Sequence, residues 1–447
     1  MNRPHRGTGP RRILLTAITL AASVTLVSCG QGDGSSPQAS GCKKAGGKVT
    51  LTYWSWVPGM DKVVDEWNST HPDIQVKLAT VPSGAAGTYQ KMSNAVTAGN
   101  APDLGQIEYD TLPSFRLQDG LRDIADCGAA RQHTRFPKWT WRQVSFGEES
   151  VYAIPQDTGP MALFYRKDLF AKYGIAVPTT WEEFEAAARK VRRADPRVAL
   201  TNAAVGEGWL PAMAWQNGAT WFRLDKDTWK VSVNDQPTRQ VSDYWQRLND
   251  GKLVSPAATF SEQWKKEIAE GKILTWPSAV WAASLIKTDA PQTSGKWGVA
   301  PLPQWTAGGE KKNGNWGGSA TAVFKNSKYP WEAAQFAQWL SSDPEALRLQ
   351  IRHGGLYPAA KGAQALPELR QGDPFYGGQK IYDVFAETSA HVDTSFTWGP
   401  TMTTTTSALK DAANASVNSR TSLTAGIDIV QRKTVEAMRQ QGLDVQD

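Results

Sequence analysis

After residue 47 the first strong pattern is KVTLTYWSW (48–56), rich in β-branched and aromatic residues, which predicts a strand. Val63, Val64 and Trp67 recur at helical spacing and predict a helix over 60–70. IQVKLATV (74–81) alternates and predicts a second strand. Residues 89–98 predict a helix stopped by Gly99 and Asn100, and 103–109 predict a third strand. Strand–helix–strand–helix–strand at these lengths implies an α/β fold with a parallel sheet covered on both faces. In such sheets ligands sit at the carboxyl ends of strands. Trp56 and the cluster Glu108, Tyr109 and Asp110 fall at such ends.

A second α/β section begins near Tyr152, with a strand over 162–165. Thr180, Trp181, Glu182 and Glu183 spell a capping box, in which the Thr180 hydroxyl accepts from the Glu183 N–H while the Glu183 side chain reaches back. Its helix runs through Phe184, Ala187, Ala188 and Val191 to Asp195 and Pro196. Val231, Ser232 and Val233 predict a hairpin. Further helices are expected over 242–250, 262–270, 331–340 and 426–440, and strands over 299–303 and 320–324.

The beginning of the chain follows a different logic. Residues 3–12 are cationic, and 13–27 (ILLTAITLAASVTLV) are uncharged but shorter than the roughly 20 residues a membrane-spanning helix needs. Residues 1–28 therefore predict a signal peptide. Its end, Leu26, Val27, Ser28 and Cys29, resembles a bacterial lipobox, which makes Cys29 the expected lipidation site and new N-terminus. Residues 29–47 are rich in Gly, Ser, Pro and Gln and predict a lipidated flexible tether, with a span of about 20–25 Å for its coil. Arg11 and Arg12 leave export by the general or the twin-arginine route open. With Cys29 acylated, Cys42 and Cys127 remain. In an exported protein they are most simply one disulfide, the alternative being two buried free thiols.

Composition changes the picture at three points. The 447 residues suffice for a core without a metal or a disulfide framework. The net charge of +6 is misleading, because Arg3, Arg6, Arg11 and Arg12 precede the cleavage point. The remainder carries +2, which gives no bulk attraction to nucleic acid. The aromatic set is unusual, with 20 Trp beside 11 Tyr and 13 Phe. No zinc, nucleophile-elbow, phosphate-loop or dinucleotide motif occurs, so neither metal nor cofactor is expected. What stands out is Trp and Tyr beside acids and amides: Glu108, Tyr109 and Asp110; Gln156 and Asp157; Glu207 and Trp209; Asn315 and Trp316; Trp398. A pyranose suits that chemistry. Its C–H face packs on an aromatic ring, and its hydroxyl rim pairs with carboxylates and amides.

These residues also carry a resemblance. The lipobox at Cys29, KVTLTYWSW, GNAPDLGQIEYD (99–110), YAIPQDTGPMALFYRKDLF (152–170), PTTWEEF (178–184), NWGGSATAVFKNSKYPWEAAQFAQWL (315–340) and GGLYPA (354–359) occur in the order seen in family 1 extracellular solute-binding proteins. The chain resembles the sugar-binding lipoprotein of an actinobacterial ABC importer. The resemblance implies a two-lobed, periplasmic-binding-protein-like fold of type II, with ligand in the cleft. Lobe one would hold 43–153 plus 299–343, and lobe two 154–298 plus 344–447. It implies no catalysis, a monomer anchored on the extracellular face of the membrane, and docking on two permease subunits. The ligand residues it implies are Glu108, Tyr109, Asp110, Asp157, Glu207, Trp209, Trp281, Trp316, Gly317, Gly318 and Trp398, to which the strand-end position adds Trp56. Maltodextrin-binding members have an aromatic where this chain has Ile107 and a basic residue where it has Thr111, which argues against that ligand. The competing readings are an exported carbohydrate-active enzyme using two of these carboxylates, and an adhesion lipoprotein binding polymeric glycan.

Overall fold

The structure, a computed structural model, describes residues 42–203, 208–418 and 420–446. Cys29 and Glu207 lie outside the described residues. In chain order the strands are β1 (Val49–Ser55), β2 (Ile74–Thr80), β3 (Leu104–Glu108), β4 (Ala153–Pro155), β5 (Met161–Arg166), β6 (Phe222–Asp225), β7 (Thr228–Val231), β8 (Thr275–Ala279), β9 (Trp297–Ala300), β10 (Ser319–Val323) and β11 (Asp444–Gln446).

The first sheet runs β2-β1-β3-β10-β4. The pairs β1–β2 and β1–β3 are parallel, as the strand–helix pattern requires. The strand expected over 320–324 joins the same sheet as β10, antiparallel to β3 and β4. The chain enters β10 from a crossing loop, with no covering helix to reverse it. Under this sheet the helix Met60–Thr70 buries Met60, Val63, Val64 and Trp67. The Trp67 indole donates to the Ile74 carbonyl at 2.7 Å, which fixes the helix against β2. Asp103 accepts from the Thr52 amide (2.8 Å) and from the hydroxyls of Thr52 (2.9 Å) and Ser327 (2.7 Å), so it is an anchor between strands.

The second sheet runs β8-β5-β9, and a third joins β11-β7-β6. The expected hairpin at 231–233 lies earlier, between β6 and β7, with Lys226 in its turn at φ 55°. The lobe division also shifts. Val299 and Ala300 pair with Phe164 and Leu163, so β9 completes the second sheet and the crossing back follows it. Ala346, Leu347, Leu356, Ala359, Ala360 and Ala363 pack in the core of the first sheet. Strand-like periodicity at 299–303 carries no information about which sheet takes the strand.

Three crossing segments lie side by side. Gln156 and Asp157 both donate their amides to the Ser319 carbonyl, and Thr158 donates to Tyr357. Ala359 donates to Gln156, and Trp316 donates to Gly159. A Cβ at residue 159 would stand 1.9 Å from the Trp316 carbonyl oxygen, so only glycine permits this approach. Elsewhere the capping box forms as expected: Thr180 accepts from the Glu183 N–H at 3.1 Å, and the Glu183 carboxylate takes the Thr180 amide at 3.3 Å. Thr180→Ala is expected to cost about 1 kcal/mol, seen as a lower urea midpoint with unchanged slope.

Cys42 and Cys127 are joined by a disulfide, with Cα atoms 5.1 Å apart and 85 residues of separation. The Ala45 amide beside it donates to buried Glu332 at 2.6 Å. Among the described residues no helix is long and apolar enough to cross a membrane.

Candidate functional site

The acidic side of the site grows from the end of β3. Glu108 Oε2 accepts from the Tyr89 hydroxyl at 2.8 Å, and the Glu108 amide donates to the same hydroxyl at 2.9 Å. Burial, reinforced by the negative charges of Glu108 and Asp110, pushes the Tyr89 phenol well above its ordinary range. Tyr89 thus stays a neutral donor that orients the carboxylate. Half-buried Trp56, at the end of β1, stands edge-on to Tyr89 with ring centroids 5.8 Å apart. Ser55 and the Trp56 amide both bond Gln106, which sets the direction of that strand end.

The aromatic side is built where β8 ends and where the chain crosses into β10. Trp281 and Trp316 are edge-on at 4.8 Å, and the Trp281 indole donates to the Trp316 carbonyl at 3.0 Å. Gly317 and Gly318 follow with φ of 75° and 84°, a left-handed pair that side chains adopt only under strain. A Cβ placed on Gly317 would be 3.5 Å from both Glu108 Oε1 and Trp281 Nε1. The bare glycine therefore brings an acid from one sheet and an indole from the other to the same spot. A Cβ on Gly208 would strike Trp316 Nε1 at 2.3 Å, so glycine there lets the indole lie down.

Of the residues expected from sequence, the structure groups Trp56, Glu108, Trp281, Trp316 and Gly317. The negative charge of Asp110 acts on the Tyr89 phenol as well, so that carboxylate stands near the group. The other residues have structural positions. Tyr109 is 1% exposed, edge-on to Trp139 at 5.9 Å, and its hydroxyl donates to the Asp157 carbonyl at 3.1 Å. Gly318 lies against Tyr109 and the 157–158 backbone. The Asp157 carboxylate is buried and accepts from the Ser319 amide (2.8 Å) and hydroxyl (2.5 Å); burial raises it to about 6 against those donors. It locks the crossings together.

Two of the expected tryptophans are packed in the core in this structure. Trp209 is 1% exposed, donates to the Pro277 carbonyl at 3.1 Å and packs edge-on to Trp245 at 4.6 Å. Every residue of its helix, Trp209–Gln216, is buried, so nothing marks one face as ligand-facing. Trp398 is buried against Phe396 (4.9 Å) and Trp215 (5.9 Å). That stack continues to Trp139 and fills the core between the two halves.

Sequence reasoning missed Tyr89, and it missed Phe260, whose ring centroid lies 6.2 Å from Trp281 and 6.4 Å from Trp316. Tyr89 reads as the start of a helix. Phe260 precedes the helix Glu262–Glu270 and gives no periodic signal. Among the described residues no group of three or more His, Cys, Asp and Glu is placed to hold a metal ion. Carboxylate acceptors facing half-buried rings can hold a polyhydroxylated ligand without changing any bond in it.

A family model for bacterial extracellular solute-binding proteins matches residues 53–346. The arabinooligosaccharide-binding protein of Bacillus subtilis is 24% identical over 357 residues, 76% of this chain and 81% of that protein. Two solved structures superpose with a TM-score of 0.80 over 90% of this chain and 100% of theirs. One is the ABC transporter-associated binding protein of B. animalis subsp. lactis with β-1,6-galactobiose, 27% identical. The other is the galacto-N-biose/lacto-N-biose I-binding protein of Bifidobacterium longum with lacto-N-biose, 29% identical.

Proposed function

The chain belongs to the bacterial extracellular solute-binding proteins, and from that premise we propose that it captures a mono- or oligosaccharide between Glu108 and the Trp281–Trp316 pair. It is a substrate-binding protein of an ABC importer and not an enzyme. The observation that carries the sugar site is Gly317, where Glu108 Oε1 and Trp281 Nε1 converge. The galactobiose and lacto-N-biose ligands of the two similar structures support a disaccharide with a galactose ring.

In this reading Tyr89 orients Glu108, the carboxylate accepts from ring hydroxyls, and an indole covers the apolar sugar face. Ligand touching both halves favours the closed arrangement by its extra contacts. The closed form then docks on two permease subunits, one per lobe, as a monomer held to the membrane through Cys29. The enzyme alternative gives way to the family membership.

Calorimetry with lactose, β-1,6-galactobiose and galactose tests this, with chromatography of the recovered ligand. Binding of at least one sugar, returned intact, is expected. Trp281→Ala should weaken it about 10- to 100-fold, the worth of one ring face, with cooperative urea unfolding retained. Release of reducing ends, or equal affinity in the variant, refutes the assignment.

A further inference from the structure

Phe260 is the outermost ring of the aromatic group. Its centroid lies 6.2 Å from Trp281, 6.4 Å from Trp316, and 5.9 Å from both Trp264 and Trp276. Trp264 and Trp276 are buried behind it, whereas Phe260 is 48% exposed. Its backbone is also strained, with φ 69°, a left-handed conformation unfavourable for a bulky side chain. The turn that imposes it is closed by the Ser261 amide and hydroxyl, both donating to the Ala258 carbonyl.

A local explanation exists and is insufficient. Ser261 caps the helix Glu262–Glu270 by accepting from the Trp264 amide at 3.2 Å. Phe260 precedes that cap, where an apolar residue often staples the helix start. A staple packs against the fourth helical residue, here Lys265, whereas Phe260 contacts Trp264. Stapling also needs neither a left-handed backbone nor a half-exposed ring. Strain kept at an exposed aromatic beside a ligand site points to function.

We propose that Phe260 is an outer stacking platform that selects for ligand length. The inference rests on the sugar reading above. One ring of the saccharide occupies the inner slot of Glu108, Trp281 and Trp316, and the next ring projects outward onto the face of Phe260. The left-handed backbone holds the platform over the inner pair, so part of its ordering is complete before ligand arrives.

The test compares Phe260→Ala and Phe260→Gly with the wild type by calorimetry with galactose, lactose and β-1,6-galactobiose, and by urea unfolding. Phe260→Ala is expected to weaken the disaccharide that the wild type binds by about tenfold or more, and galactose by less than about threefold. Phe260→Gly should show the same loss but unfold at higher urea than the alanine variant, because glycine accepts the left-handed backbone. Unchanged disaccharide affinity with a lowered midpoint makes Phe260 a staple and overturns the proposal. So do equal losses for both ligand lengths, a wild type that binds galactose alone, or a glycine variant no more stable than alanine. A wild type that binds none of the three sugars overturns the sugar reading itself.

Discussion

The double variant Cys42→Ala/Cys127→Ala is expected to lose about 4–5 kcal/mol of unfolding free energy in the chain-entropy account. The bond spans 85 residues that include β1, β2 and β3. Cutting it restores to the unfolded chain the freedom of a long loop, whose closure cost grows only slowly with length. Cys127 is 3% exposed in the core of the first sheet, and the truncated side chains add a smaller packing loss. Urea unfolding of the oxidised protein, of the protein under reductant and of the variant measures the effect. Reductant should lower the first to near the third and leave the third unmoved. A reductant-insensitive wild type would show that the bond contributes nothing.

The second large effect concerns Asp157. Burial raises its carboxyl from 3.8 to about 6 in the folded protein. A raised carboxyl means that the folded state binds the proton more tightly than the unfolded chain does. Its contribution to stability is therefore best below the unfolded pKa. It declines as pH rises from about 4 to 6, and above 6 the full cost, about 3 kcal/mol, is present. Asp157→Asn keeps an oxygen for the Ser319 amide and hydroxyl while removing the buried charge. At pH 7.5 the variant should be more stable than the wild type by about 1–3 kcal/mol. The gap should close as pH falls below about 4.5. A gap independent of pH between about 4 and 8 would show that the carboxyl does not titrate as burial requires.

How far the sequence carries the fold depends on what each pattern encodes. The helix Met60–Thr70 is legible to the residue, because one apolar stripe and its flanking breaks mark both ends. The capping box at Thr180 is legible because two side chains spell it. The helix Met402–Val417 is not. It begins MTTTTS, and between Met402 and Ser416 its buried face is Thr405, Ala408, Leu409, Ala412 and Ala413, too weakly apolar to show a period. The site is legible in its chemistry and less so in its membership. Glu108, Trp281, Trp316 and Gly317 follow from the family resemblance and do converge. Trp209 and Trp398 belong to the core, because a tryptophan in contact with ligand and one packed inside have the same letter and the same neighbours in sequence. Tyr89 acts through a hydroxyl contact 19 residues away, which no local spacing encodes.

The edge-on pair of Trp281 and Trp316 has an optical consequence. Indoles with centroids 4.8 Å apart and planes at 79° share their electronic excitations. Their coupling, extended to Trp276 at 5.8 Å, is expected to give circular dichroism bands of opposite sign that depend on how the rings are set. A saccharide bound as proposed and turning either ring would rewrite that signal, which would report its arrival without a label.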